Sequence, residues 1–245
     1  MIKRISILLL FMLTCCTDQL MEKTSPLDGV YYITDGWVKF EEADYDRAHD
    51  LFSTVLLNNT TQYFGEAYLG LAWNSIYKAN TIQGVNNWNS REYQRDISNE
   101  YFILASEYVQ NNQLCLGSED CYLSSACKNL LAGQAYNSSY QALESSRKFY
   151  DYGLDSSNWI DMMSYSDSTI YYSDWLLNEC DPTLSYIFNH DSLINHNSIR
   201  ILRAQTYVRI ADFDNAKLEL LNIEDLDCNL DLESVVECLN SLNSE

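Results

Sequence analysis

Residues 32–48 read YITDGWVKFEEADYDRA, a pattern typical of two helices joined by a short turn. The residues before Ala43-Asp44 carry apolar side chains at helical spacing, and the residues after it continue that pattern through Phe52. Glycine in a helix interior costs about 1 kcal/mol relative to alanine, so Gly36 indicates close approach of a neighbouring element. A second such glycine, Gly70, follows at a spacing of 34 residues. The pattern predicts two helices joined by a tight turn and then repeated.

The same organisation returns near the C-terminus. Residues 201–210 predict a first helix, Ala211-Asp212 a turn, and residues 213–221 a second helix. A shorter fragment of the pattern lies at residues 131–136. The positions expected to pack between helices are Gly36, Tyr45, Ala48, Phe52, Gly70, Trp73, Gly133, Tyr136, Ala204, Tyr207, Phe213 and Ala216.

These positions and their spacing resemble the tetratricopeptide repeat family. Residues 28–58 and 198–223 match as helix pairs, and residues 64–80 and 121–143 match as first helices. The resemblance implies an all-α fold of antiparallel helix pairs, stacked as a short and partly irregular α-solenoid. The irregularity is expected because residues 84–90 form an insertion, residues 156–197 carry no repeat pattern, and the proline that usually follows each pair is missing. Residues 230–242 are expected to form a helix that caps the open end.

The N-terminus reads as a targeting signal. Lys3 and Arg4 precede a short apolar stretch, and Leu13-Thr14-Cys15-Cys16 resembles the lipobox of bacterial lipoproteins. The expected division is a signal peptide at 1–15, a tether at 16–27 and a helical domain at 28–245. Cys16 is the expected lipidation site, with Cys15 as the alternative, and an ordinary cleaved secretory signal as the other interpretation. Lipidation implies a membrane anchor in the bacterial cell envelope, at the outer membrane.

The formal net charge of −20 excludes nucleic acid as a partner, because an acidic surface repels phosphate backbones. Six cysteines follow the lipobox, which suggests disulfides in an exported chain and allows fifteen connectivities. Cys115–Cys121 and Cys228–Cys238 are the favoured local pairs.

No enzyme motif is present, so the protein is predicted to be non-catalytic and to need no cofactor or metal. The alternating acids at residues 225–233 have calcium-loop spacing, but Leu230 replaces the required glycine, so an acidic turn is the preferred interpretation. His49, His190 and His196 have no partners at metal-ligand spacing.

A membrane-anchored scaffold for another envelope protein or peptide is therefore the expected function. The alternatives are a glycan- or peptide-binding lipoprotein serving an outer-membrane transporter, and a structural spacer. The aromatic residues outside the matched helices are the candidate ligand contacts: Trp88, Trp159, Tyr171, Tyr172 and Trp175.

Overall fold

The computed structural model describes residues 27–58, 61–111, 124–150, 155–223, 226, 228 and 234–242. Most of these residues are helical. The elements are α1 (Leu27–Glu41), α2 (Tyr45–Leu57), α3 (Phe64–Thr81), α4 (Trp88–Asn111), α5 (Ser125–Tyr150), α6 (Ser157–Asp174), a π-helical turn (Trp175–Cys180), β1 (Ile187–Phe188), β2 (Asp191–Asn195), α7 (His196–Arg209), α8 (Phe213–Leu221) and α9 (Ser234–Leu242). Short 3₁₀ turns precede α3 and α4.

Consecutive helices pack as pairs: α1 with α2, α3 with α4, α5 with α6, and α7 with α8. The first helices of these pairs, α1, α3, α5 and α7, also contact one another in that order. The expectation of a helical fold built from neighbouring pairs is confirmed. The described part of the chain contains no helix long and apolar enough to cross a membrane.

The same turn joins α1 to α2 and α7 to α8. In each, an alanine adopts a left-handed conformation, with φ of 58° at Ala43 and 62° at Ala211. The next residue, Asp44 or Asp212, donates its backbone N–H to a carbonyl five residues earlier and caps the following helix through its side chain. This Schellman turn followed by an aspartate cap satisfies the free backbone groups of both helix ends.

Two glycines make room for one aromatic ring. A Cβ at Gly36 on α1 would lie 2.7 Å from the Phe52 ring, and a Cβ at Gly70 on α3 would lie 2.5 Å from it. Phe52 extends from α2 and is fully buried. The close approach that the glycines indicate is therefore between a helix backbone and a ring.

Gly133 on α5 has the same role for a second ring, since a Cβ there would meet Phe102 of α4 at 2.2 Å. Trp73 lies beside this contact, and its indole N–H donates to the carbonyl of Asn129 at 3.1 Å. In the first three helix pairs, each of these two buried rings thus packs against a glycine of a neighbouring helix, which allows the dense packing of a protein interior.

The region without a repeat pattern, residues 156–197, forms α6, the π-helical turn and a two-stranded antiparallel hairpin. The hairpin inserts Phe188, which is fully buried, between helices of the first two pairs. The Phe188 ring stacks on Trp73 at 4.4 Å and meets Trp37 edge-on at 5.9 Å. The sequence pattern did not predict this hairpin, because β1 has only two residues and its burial comes from long-range contacts.

A second, smaller core lies between α7, α8 and α9, where Ala204, Ala216, Leu220, Val235 and Leu239 are buried. The described last helix is Ser234–Leu242, and residues 230–233 of the expected helix lie outside the described residues. It packs on α7 and α8, and a Cys228–Cys238 disulfide attaches it. The predicted Cys228–Cys238 pair is present.

Candidate functional site

Two adjoining grooves run along one face of α5. One has a volume of about 560 Å³ and the other about 880 Å³, and both are lined by Tyr140 and Leu143. Together the two grooves are lined on the α5 side by residues 136, 139, 140, 143, 144 and 147. These positions recur every three or four residues, so they lie on one helix face. We refer to the combined feature as the α5 groove.

The walls of the α5 groove come from distant parts of the chain. At one end are the end of α3, the Gln83-Gly84 loop and the first turns of α4. At the other are α7, Leu193 of the hairpin and Leu242 of α9. From Tyr136 to Arg147 the helix rises about 16 Å, which is the length of about five residues of extended peptide.

The net charge of the residues that line the α5 groove is opposite in sign to that of the whole chain. Four arginines and one glutamate line it: Arg91, Arg95, Arg147, Arg209 and Glu144. The whole chain has 35 acidic residues against 15 lysines and arginines. The α5 groove is therefore a locally basic concavity on an acidic protein, where anionic groups are favoured.

Two of the four arginines are held by the protein. Arg91 forms a forked pair with Glu144, at 2.7 Å from Nη2 to Oε1. Arg95 donates to the carbonyl of Ile76 at 3.1 Å and to Asn80, and it lies 4.2 Å above the Tyr140 ring. Burial lowers the pKa of Arg95 to about 10. These contacts give Arg91 and Arg95 structural roles.

Arg147 and Arg209 differ, because neither side chain has a hydrogen bond or ion pair among the described residues. The Nη1 atom of Arg209 is buried and has no acceptor there. Burial and the nearby Arg147 charge lower the pKa of Arg209 to about 10. A buried donor without a partner costs about 1–3 kcal/mol. The fold therefore places the exposed Arg147 near a partly buried Arg209, and the cost in stability comes from the Nη1 atom of Arg209, which has no acceptor among the described residues.

A buried polar network lies outside the α5 groove. Asp181 is fully buried and accepts from the Tyr186 amide at 2.8 Å, from Lys128 at 3.3 Å and from His196 Nδ1 at 3.3 Å. Burial tends to raise the pKa of Asp181, but these donors lower it below its usual value. The Nε2 atom of His196 faces Arg200 Nε at 3.0 Å.

The arrangement around His196 fixes its protonation state. Burial and the Arg200 charge lower the pKa of His196, so the ring is neutral, with Nδ1 donating and Nε2 accepting. A general base needs a free Nε2 in contact with substrate, whereas here Arg200 occupies it. Arg200 then pairs with Glu219 at 3.0 Å, so the network joins α7 to α8 and to the segment before the hairpin.

His190 also has partners that the sequence did not reveal. Its ring stacks on Trp37 at 3.9 Å, and its Nδ1 lies 2.8 Å from Glu41 Oε1. Asp191 next to it accepts from the Tyr77 hydroxyl. These contacts attach the hairpin tip to α1 and α3. Within the described ranges, no group of three histidine, cysteine or acidic side chains could hold a metal ion.

The five aromatic residues proposed as ligand contacts do not come together. Trp159 and Tyr171 lie on exposed parts of α6, whereas Tyr172 and Trp175 pack against the main core. Trp88 begins α4, and its ring lies 4.2 Å from Lys148 Nζ. None of the five lines the α5 groove. Their position outside the repeat pattern did not indicate a common surface.

The other predicted positions lie as follows. Ala48, Ala204 and Ala216 are fully buried, Tyr45 and Tyr136 pack against the main core, and Tyr207 packs against the second core. Phe213 begins α8 and is half-buried. Cys127 and Cys180 are disulfide-bonded. Cys15, Cys16, Cys115, Cys121 and the alternating positions 225, 227, 229, 231 and 233 of the acidic stretch lie outside the described residues.

The arginines of the α5 groove were missed in the sequence because they come from three helices. Only the α5 spacing of Tyr136, Tyr140 and Arg147 is visible as a local pattern. Comparison with protein-family models, curated proteins and solved structures found no match.

Proposed function

We propose that this protein is a non-catalytic, membrane-anchored scaffold of the bacterial cell envelope that holds an extended segment of another envelope protein in the α5 groove. The observation that carries the proposal is the groove itself. Its floor and one wall belong to first helices, α5 and α7, and a row of first helices is where helical-repeat proteins of the tetratricopeptide type present their concave surface. The stacked pairs and repeated turns support a tetratricopeptide-like solenoid.

A peptide suits the α5 groove better than a glycan does. Its dimensions match about five extended residues, and its lining includes amide and hydroxyl groups that can bond a peptide backbone, such as those of Asn80, Ser139 and Asn197. Glycan sites rely on flat aromatic platforms. The two exposed tryptophan or tyrosine residues among the five candidates, Trp159 and Tyr171, lie on α6 and not in the groove, whose aromatic lining is Tyr136 and Tyr140.

The envelope part of the proposal depends on the lipobox-like residues 13–16. It predicts that Cys16 carries acyl chains in the native protein. Metabolic labelling with an alkyne fatty acid tests this, with Cys16→Ala expected to abolish labelling and Cys15→Ala to leave it. Labelling that follows Cys15 would move the lipid site, and no labelling would reject the anchor.

Site-specific photo-crosslinking in cells tests the scaffold. Leu193 lies at the rim of the α5 groove and is 79% exposed, whereas Leu57 on α2 is 80% exposed and outside it. A photoreactive amino acid at 193 should capture one partner, and the same residue at 57 should not. The captured protein, once purified, should bind the scaffold stoichiometrically. Equal capture at both positions, or none at 193, would contradict the proposal.

A further inference from the structure

We infer that Arg147 and Arg209 form a carboxylate-binding site, and that the partner segment held in the α5 groove carries an acidic side chain at this point. The inference rests on the proposed function, because it specifies the chemistry of the segment that the scaffold holds. The occupant is an extended peptide with carboxylates, placed along α5 between the Gln83-Gly84 loop and Leu242.

The first argument is the lack of partners. In a chain with 35 acidic residues, an arginine can readily find a carboxylate, as Arg91 does with Glu144 and Arg200 with Glu219. Arg147 and Arg209 do not, within the described part of the chain. Instead they lie close enough for the charge of one to lower the pKa of the other. Arg147 is exposed to water, so the unmet need for a negative charge is greatest at Arg209, whose Nη1 atom is buried.

The second argument is burial. Arg47 also lacks a side-chain partner among the described residues, but it is exposed on α2, where water satisfies its donors. Arg209 instead is partly buried: its side chain lines the groove, and its Nη1 atom is buried without an acceptor among the described residues. A bound carboxylate can accept two parallel bonds from a guanidinium, which is the geometry this side chain prefers.

The third argument is charge and shape together. Leu143, Leu193, Ile201 and Leu242 supply apolar surface around the arginine pair. A carboxylate carries one negative charge, so the overall charge of −20 repels it less than a dianionic phosphate. A short segment that alternates apolar and acidic residues therefore matches the groove.

Isothermal titration of the purified protein tests the inference with a blocked pentapeptide that alternates leucine and glutamate. Its comparison peptide has glutamine in place of glutamate. We expect the glutamate peptide to bind at least tenfold more tightly, and the difference to shrink as salt is raised. In the Arg147→Gln/Arg209→Gln variant the glutamate peptide should bind at least tenfold more weakly. Arg47→Gln is the matched control and should bind as the unchanged protein does.

Thermal unfolding separates a binding role from a structural one. Because Arg209 has no hydrogen-bond or ion-pair partner among the described residues, Arg209→Gln should leave the melting temperature unchanged or raise it. A structural arginine would show the opposite result, as expected for Arg200→Gln, which breaks the contact with Glu219. A fall in melting temperature for Arg209→Gln would overturn the inference.

Several results would count against the carboxylate site. Equal affinity for the two peptides, no binding at millimolar concentration, or equal loss in Arg47→Gln would each overturn it. Tighter binding of a phosphoserine version would assign the arginines to phosphate instead. If the partner captured at position 193 binds Arg209→Gln with unchanged affinity, the inference fails while the scaffold proposal stands.

Discussion

The packing of Phe52 between Gly36 and Gly70 predicts a specific cost for adding one methyl group. In Gly70→Ala the new Cβ would lie 2.5–2.7 Å from three ring atoms of Phe52. The ring has little room to move away, because a Cβ at Gly36 would also lie only 2.7 Å from it and the Phe52 side chain is fully buried. Overpacking of a core costs about 1–3 kcal/mol, and so tight a contact belongs at the upper end. Alanine returns about 1 kcal/mol of helix propensity.

The net expectation is that Gly70→Ala lowers the free energy of unfolding by about 2 kcal/mol. Urea denaturation followed by circular dichroism measures this. Phe52→Leu is the second variant, because it removes the ring atoms that the new methyl group meets. In the double variant Gly70→Ala should cost at least about 1 kcal/mol less than it does alone, since residues in contact are energetically coupled.

Gly133→Ala provides the matched control for this cycle. Its Cβ would meet Phe102 and Trp73 rather than Phe52, so its cost should be the same with or without Phe52→Leu. The reasoning would be refuted if Gly70→Ala were neutral, or if its cost added to that of Phe52→Leu without coupling.

Three further predictions concern pH, the disulfide and the turns. The pKa of His196 is lowered from 6.5, so below about pH 6.5 the unfolded chain binds a proton that the native protein does not. The free energy of unfolding should therefore fall as the pH drops below about 6.5 and level off below the native pKa. Urea denaturation of wild type and His196→Asn over this pH range checks the prediction, and an unchanged pH dependence of the free energy of unfolding in the variant would reject it. Cys238→Ser removes a disulfide that joins residues 10 apart in sequence, which should lower the free energy of unfolding by about 3 kcal/mol. Hydrogen exchange should become faster in α9 and stay unchanged in α1. A uniform increase in exchange across the protein would contradict a local role for the disulfide. Asp212→Ala removes a helix cap and should lower the free energy of unfolding, measured by thermal denaturation, by about 1 kcal/mol. The control is Asp167→Ala, because Asp167 is exposed inside α6 and caps no helix, so its loss should cost much less.

The helix pairs were readable from the sequence because their signals are local. Ala43-Asp44 and Ala211-Asp212 encode a left-handed residue and a helix cap within a few positions, and the apolar spacing around them defines which helix face is buried. Cys228 and Cys238 are close enough in sequence that their pairing was also predictable.

The position of the hairpin and the composition of the α5 groove depend on contacts between residues that are far apart in the sequence. Nothing near Phe188 indicates burial, because the rings that cover it, Trp37 and Trp73, are more than a hundred residues earlier in the chain. That Arg209 meets no acceptor within the described part of the chain is likewise a property of its surroundings. Local periodicity specifies which side of a helix faces inward, but which distant side chains meet there depends on how all the helices pack together, so the sequence alone determined the helices and the packed fold determined the site.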